Sequence, residues 1–416
     1  MSERVIAVAA EFQSHRRTSD LQGALEELAE LCRSAGLQVV KTLPVRQKAP
    51  SSTYYLGKGK AWEIRKMAEE FAVGVVCFES DLSASQQRNL EEVIQKKTID
   101  RTQLILEIFA RAAKSTEGKL QVELAQLKYL LPRLTGEGIF LSRLGGGIGT
   151  RGPGEQKLEM DRRLIRERLG RLGRELLLLG KRRGANLKRK KEKDWPIIAL
   201  VGYTNAGKSS LFNALTHSSA PVKEKMFSTL DTATRLLLLP GNQKALLVDT
   251  VGFVRDLPHH LIESFKATLE EAVQADILLH VADADRRDLE SANETVKKVL
   301  SDLDVEARKT VMVYNKMDLV PQSFKDSRTS SGDAEGAFVS AKTGEGIPAL
   351  LNLLSAYLSK SQNVRQFFIP KEKLGLAHYL YESGHVLKRQ DESKGSTFLV
   401  KISPKLETFF LSKIKL

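Results

Sequence analysis

Gly202-Tyr203-Thr204-Asn205-Ala206-Gly207-Lys208-Ser209 matches the pattern G-x-x-x-x-G-K-[ST]. The apolar run Ile197 to Val201 precedes it, and a helix-like pattern through Ser210, Leu211, Phe212 and Leu215 follows. The octapeptide therefore lies on a strand–loop–helix path, the setting in which this spacing makes a phosphate cradle. Its glycines let backbone N–H groups converge on phosphate oxygens, and the helix N-terminus adds the positive end of its dipole. Lys208 is placed to reach the outer phosphates and Ser209 to ligate Mg²⁺. A plain strand-to-helix turn is the competing reading.

A second buried-strand run, Thr310 to Tyr314, leads into Asn315-Lys316-Met317-Asp318. This tetrapeptide resembles the guanine-specificity motif of the Ras-like GTPase superfamily. A carboxylate at Asp318 can accept from both the ring N–H and the exocyclic amino group of guanine, donors that adenine does not present together. A site built on such bonds rejects the analogue lacking them by roughly 10⁴-fold or more. Ser340-Ala341-Lys342, after the short run Ala337 to Val339, is similar to the loop that frames the base from behind. Taken in this order, the motifs point to GTP and GDP rather than ATP.

Asp249-Thr250-Val251-Gly252 ends the run Ala245 to Val248 and resembles the second-switch motif. Asp249 is expected to hold Mg²⁺ through water, and the Gly252 N–H to sense the γ-phosphate. Between the motifs lies Phe227-Ser228-Thr229-Leu230-Asp231, where a first-switch threonine is expected to complete the Mg²⁺ shell. Thr229 is the choice, with Thr232 and Thr234 close enough to compete. Residue 253, where Ras-like hydrolases carry a water-orienting glutamine, is Phe253. No residue of this chain is thereby marked as catalytic, and slow intrinsic turnover accelerated by a docking partner is expected. Asn205 resembles the asparagine of K⁺-stimulated GTPases.

The chain has 416 residues and a net charge of +14, enough length for two to four domains. No run of 18 apolar residues and no charged-then-apolar leader exists, so neither a membrane span nor a signal segment is expected. Cys32 and Cys77 lack metal-ligand spacing and read as reduced packing residues of a cytoplasmic protein. Residues 117–193 hold 20 Lys plus Arg against 9 Asp plus Glu, a net +11 that accounts for most of the excess. Such a stripe, with Lys181-Arg182-Arg183 and Lys188-Arg189-Lys190-Lys191 at its end, is the footprint of a polyphosphate partner, most often nucleic acid.

Four segments must position these residues. Residues 1–115 alternate short apolar runs (Val5 to Ala9, Leu37 to Leu43, Val73 to Phe78, a piece near Ile99) with helical faces, one through Leu21, Leu25, Leu28 and Cys32 closed by Gly36. Ser83-Ala84-Ser85-Gln86 reads as a capping box, and the alternation predicts a small parallel α/β domain. Tyr55 to Lys60 is a tight turn or a phosphate contact, the turn being favoured. Residues 116–194 carry two leucine seams, Leu120-Leu124-Leu127-Leu131-Leu134 and Ile165-Leu169-Leu172-Leu176-Leu179, which predict an antiparallel helical hairpin. Its joining loop, 136–154, holds eight glycines with Arg143 and Arg151 among them, and glycine there lets backbone approach an RNA surface. A floppy linker is the alternative. Residues 195–361 read as a Ras-like G domain, with an antiparallel hairpin from Leu236 to Leu239 and Lys244 to Val248. Residues 362–416 read as a small α+β domain, with strands near 367–369 and 398–402 and a helix near 376–384. The fold class is α/β throughout these parts.

Asp100-Arg101-Thr102, the run Glu117 to Leu127, and the loop Gly145 to Glu155 together resemble the HflX family of translation-associated bacterial GTPases. Thr232 stands where that family usually has proline, which touches loop stiffness and not metal chemistry. The resemblance implies a GTPase that binds the large ribosomal subunit near the peptidyl-transferase centre, through ribosomal RNA, and dissociates stalled or idle ribosomes; a monomer is expected. It also implies ATP binding by the N-terminal domain, for which the sequence offers no site. A GTPase checkpoint in subunit assembly shares all of this chemistry and stays open. A switch whose basic hairpin grips an acidic protein differs in kind, because its affinity would fall only weakly with salt.

Overall fold

The structure is a computed structural model that describes residues 3–13, 21–134, 153–192, 195–218, 226–227, 233–255, 258, 275–302, 309–330, 336–360, 363–402, 407–408 and 410–411. It divides into two units. The first comprises Met1–Leu179, Lys223–Asp231 and Asp256–Lys266; the second comprises Gly180–Val222, Thr232–Arg255 and Ala267–Leu416.

In the first unit, β1 (Arg4–Phe12), β2 (Gln38–Gln47), β3 (Val75–Phe78) and β4 (Lys97–Asp100) form an all-parallel sheet in the order β2-β1-β3-β4. Parallel strands need crossovers, and α1 (Leu21–Ser34), α2 (Lys58–Glu70) and α3 (Ala84–Ile94) supply them, with α4 (Arg101–Ala112) following β4. Ser83 and Gln86 make the reciprocal capping box on α3, and Leu25, Leu28 and Cys32 are the buried face of α1. Tyr55 and Leu56 are buried and Gly57 caps α2, so the glycine–lysine stretch is the turn that opens a helix.

Asp100 anchors the next element. Its carboxylate caps α4 at Gln103 N (2.8 Å) and accepts from Leu82 N (3.3 Å), the Tyr129 hydroxyl (2.9 Å) and Arg133 Nη2 (3.0 Å). Tyr129 lies on α5 (Thr116–Leu130), the first helix of the basic segment, and α6 (Pro153–Glu192) is the second. Glu123 and Arg168 join the two through paired bonds of 2.7 and 2.9 Å. On α6 Leu172 of the read seam is buried and its other members are half-buried, while Leu164, Leu177 and Leu178 are exposed. On α5 the buried face is Gly118, Gln121, Val122, Ala125 and Tyr129, while the leucines are half-buried. The Asp100 anchor fixes that face. The glycine loop with Arg143 and Arg151, and the side chains of 182–192, lie outside the described residues.

In the second unit a six-stranded sheet runs β10-β9-β8-β5-β7-β6. Its strands are β5 (Ile197–Gly202), β6 (Ala233–Leu239), β7 (Gln243–Asp249), β8 (Ile277–Asp283), β9 (Lys309–Asn315) and β10 (Ala337–Phe338). Only β6 runs antiparallel, in the expected hairpin with β7. Ile198, Leu200, Leu247, Leu279 and Val313 form the core with Leu211 of α7 (Lys208–Thr216) and Leu350 and Leu354 of α10 (Ile347–Lys360). Between these helices come α8 (Leu289–Asp302) and α9 (Gln322–Ser330).

A three-stranded antiparallel sheet follows: β11 (Asn363–Pro370), β13 (Gly395–Ile402) and β12 (His385–Glu392), with α11 (Ala377–Ser383). Strand β12 was not foreseen, because Lys388 to Glu392 are polar and exposed and show no alternation. No helix among the described residues is long and apolar enough to cross a membrane.

Candidate functional site

Strand β5 is buried along its whole length, so its C-terminal end delivers Gly202 at a fixed place. Gly202 has φ +152 and a Cβ there would lie 2.2 Å from Val281 O; only glycine can turn the chain this close to β8. The loop closes at Gly207, φ +86, where a Cβ would meet Asn315 Nδ2 at 2.2 Å. That missing side chain is what lets Asn315 donate to Ala206 O at 2.9 Å. Asn315 Oδ1 in turn accepts from Ala341 N at 3.0 Å, so one amide ties the phosphate loop to the 340–342 loop. Lys208 and Ser209 then begin α7, whose N-terminal end carries the positive pole of the helix dipole and favours an anion.

Lys208 is buried and its ammonium donates to Gly202 O (3.1 Å) and Tyr203 O (2.8 Å), which aims it along the loop. Burial pushes its pKa down to about 8, against the pull of Asp249. Ser209 Oγ donates to Asp249 Oδ2 at 2.8 Å. A hydroxyl and a buried carboxylate are hard oxygen donors, and this pair beside a phosphate cradle suits Mg²⁺. Thr250 is turned away, its hydroxyl donating to Leu200 O at 2.6 Å.

The base-reading residues gather at the neighbouring strand end. Asp318 Oδ1 accepts from Ser340 Oγ at 2.7 Å, which holds the carboxylate in one orientation. Lys316 pairs with Asp283 at 2.7 Å, and Met317 N bonds Val339 O at 3.2 Å. Ala341 is half-buried and Lys342 exposed.

Gly252 packs directly on the loop, and Phe253 forms a parallel bridge with Tyr203. Phe253 N donates to Gly202 O (3.1 Å) and Thr204 N to Phe253 O (2.7 Å). The Phe253 ring is fully buried and cannot orient a water. Val251 is buried beside it. The exposed Asn205 holds φ +63 at the crest of the loop.

Of the first-switch residues, Ser228, Thr229, Leu230 and Asp231 lie outside the described residues, as does Thr232. Thr234 sits in β6 opposite Val248. Phe227, read as a nucleotide contact, places its side chain elsewhere. Its ring is buried in the first unit, 4.6 Å edge-on from Phe109, and Met226 N donates to Ser34 Oγ at 3.0 Å. An aromatic side chain with an apolar partner at hand packs there rather than meeting a phosphate.

Three residues around the loop were missed by sequence reasoning: Arg255, Arg286 and Asp288. Asp288 binds Arg255 Nη2 at 2.7 Å and Arg286 Nε at 2.6 Å, and Arg286 lies 4.3 Å over the Tyr203 ring. No motif spacing connects them.

The chain is similar to known proteins along its length. Family models match along the chain: "GTP-binding GTPase N-terminal" over residues 22–110, "GTP-binding GTPase Middle Region" over 112–190, "50S ribosome-binding GTPase" over 197–316 and "HflX C-terminal domain" over 327–407. Among curated relatives, the GTPase HflX of Caldanaerobacter subterraneus subsp. tengcongensis is 45% identical over 392 residues, 93% of this chain and 90% of that protein. The GTPase HflX of Escherichia coli is 39% identical over 399 residues, 95% and 92% of the two chains. A solved structure of SsGBP in complex with GDP matches with TM-score 0.46 at 24% identity, over 86% of this chain and 99% of that one.

Proposed function

The chain belongs to the HflX family of GTPases and hydrolyses GTP; on that premise we propose that it binds the large ribosomal subunit and uses the GTP-bound state to dissociate stalled or idle ribosomes. The observation that carries the reading is the concentration of charge, +11 over residues 117–193, on a two-helix segment that precedes the nucleotide-binding motifs in the sequence. The match of residues 197–316 to a family described as a 50S ribosome-binding GTPase supports the same partner.

Within the site, the phosphate-loop amides and Lys208 bind the phosphates, and Asp318, oriented by Ser340, selects guanine. Ser209 and Thr229 would hold Mg²⁺, with Asp249 contributing through water, and the ion would neutralise charge on the phosphates. Gly252 meets the γ-phosphate through its N–H, so the second-switch segment is the part that distinguishes GTP from GDP. Phe253 cannot orient the attacking water itself, and ribosomal RNA or protein supplies that function on docking. The hairpin and the glycine loop 136–154 make the RNA contact of a cytoplasmic protein.

Sucrose-gradient sedimentation of intact ribosomes with the protein and GTP, GDP or a non-hydrolysable analogue tests the reading. Dissociation into subunits with the GTP analogue supports it, and deletion of residues 143–154 abolishes that effect while sparing nucleotide binding. Selective binding to immature large subunits without dissociation replaces it with the assembly-checkpoint reading. If the loop deletion still splits ribosomes normally, the assigned RNA contact is wrong.

A further inference from the structure

Tyr203, inside the phosphate loop, does not face outward. Its side chain is buried and its hydroxyl accepts from Arg255 N at 2.8 Å. Arg286 stacks its guanidinium over the same ring, 4.3 Å from the centroid. Both arginines converge on one carboxylate: Asp288 Oδ2 lies 2.7 Å from Arg255 Nη2 and 3.2 Å from Arg286 Nη2, and Oδ1 lies 2.6 Å from Arg286 Nε. Asp288 is itself fixed, because it immediately precedes α8 and its carbonyl accepts from Ala292 N at 3.0 Å. Burial works against its ionisation, yet the Arg286 hydrogen bond and the charges of Arg286 and Arg255 hold its carboxyl below the usual range.

The consequence concerns the segment that follows Gly252. At Phe253 it is held by two backbone hydrogen bonds to the phosphate loop, and two residues later by the Tyr203 hydroxyl and the Asp288 carboxylate. A second-switch segment changes conformation when γ-phosphate contacts are lost. Here it is fastened from outside the nucleotide motifs to the rigid start of a helix. We propose that Asp288 is a positioning residue for GTP hydrolysis: by clamping Arg255 and Arg286 around Tyr203, it holds Gly252 and Phe253 over the phosphate loop in the arrangement that a γ-phosphate meets. Both guanidinium groups are drawn to Asp288, so neither acts as a charge donor to the transferring phosphate in this arrangement. The effect is specific to the triphosphate, because GDP has no γ-phosphate for Gly252 to touch.

The test uses the full-length chain without ribosomes, so its outcome is separate from that of the ribosomal reading. Affinities for GDP and for a non-hydrolysable GTP analogue, and single-turnover hydrolysis, are measured for Asp288→Asn, Arg255→Gln and the double variant. Each single variant weakens the GTP analogue by about fivefold and slows hydrolysis, with GDP affinity changed by less than about twofold. The double variant is no worse than the poorer single one, since the two residues act as a unit. Asp288→Glu, which keeps the charge, recovers part of the loss. If Asp288→Asn does not fold, Arg255→Lys serves instead: it retains the charge, loses the fork geometry, and gives the same GTP-selective loss at smaller size. Equal losses for both nucleotides, no loss, or losses that add in the double variant overturn the proposal.

Discussion

Gly252 and Lys208 approach so closely that a Cβ on the glycine would lie 3.0 Å from the lysine Nζ. It would also lie 2.9 Å from Thr204 Cγ2 and 3.0 Å from Thr204 Cα, and the last of these is backbone that cannot swing aside. Gly252→Ala therefore lifts the segment off the phosphate loop. GTP-analogue affinity and hydrolysis fall by about tenfold or more, in line with overpacking costs of ~1–3 kcal/mol. GDP affinity changes little. Nucleotide titration with both ligands checks this, and a variant that binds both as the wild type does would show that the segment has room to spare.

The Ser340–Asp318 bond at 2.7 Å makes a prediction about base choice. Asp318→Asn replaces two acceptor oxygens by one acceptor and one donor group. Guanine then faces a donor with its own amino group, while xanthine, which has a carbonyl there, gains a partner. GTP affinity falls by about 10⁴-fold and xanthosine triphosphate becomes the tighter ligand. Hydrolysis of xanthosine triphosphate at the wild-type GTP rate would confirm that only recognition was altered; unchanged GTP binding would remove Asp318 from the site.

Lys208 yields a pH dependence whose sign is fixed by its burial. In the free protein its pKa is lowered to about 8 from the ordinary 10.5. Folding therefore becomes more favourable as pH rises from 8 toward 10.5, since the unfolded chain still binds the proton that the folded one has released. Nucleotide does the reverse, because phosphates favour the ammonium form. Above pH 8 binding takes up a proton, and nucleotide affinity falls by up to about tenfold per pH unit. Calorimetry in buffers of different ionisation enthalpy detects that uptake at pH 9 and its absence at pH 7, and Lys208→Ala abolishes both the uptake and tight binding.

Much of the fold was legible because the signals are local. The phosphate loop, Asn315 to Asp318 and Ser340 to Lys342 are contiguous, and their work is done by backbone turns that glycine or asparagine at set positions dictate, such as Gly207 against Asn315. The parallel sheet of the first unit showed as apolar runs separated by helical faces, and the Ser83 capping box was visible residue by residue. What escaped was long-range and ionic. Arg255 and Asp288 are 33 residues apart, and Tyr203 and Arg255 are 52 apart, with no periodicity to connect them. The buried face of α5 was missed for a related reason: Asp100 and Tyr129 decide it, and the leucine seam competes with that contact. The packing of the Phe227 ring against Phe109 joins residues 118 positions apart and was equally invisible in the sequence.

Phe253 bears on the rate. Its ring is buried and only its backbone reaches the phosphate loop, so Phe253 itself cannot hold the attacking water. Single-turnover hydrolysis by the isolated protein is slow and rises by about tenfold or more when large subunits are added, the low end of what trans-acting groups supply to such enzymes. A rate indifferent to ribosomes would mean that the chain orients its own water.

His280 predicts how the G domain fails in acid. It lies buried on β8, Nε2 has no hydrogen-bond partner among the described residues, and burial together with the charges of Lys297 and Lys208 lowers its pKa to about 4. The unfolded chain binds a proton at this residue near the ordinary 6.5, well before the folded one does. Stability is thus fully present above pH 6.5 and is lost as pH falls toward 4, by about 2 kcal/mol at pH 5. The strand neighbours Val201 and Met312 give the imidazole no carboxylate to offset that loss. His280→Phe removes the titrating group and keeps an aromatic ring in the core. Urea unfolding at pH 7 and pH 5 should show a smaller difference for the variant than for the wild type, by about that amount. Equal differences in the two proteins would assign the acid sensitivity to other groups.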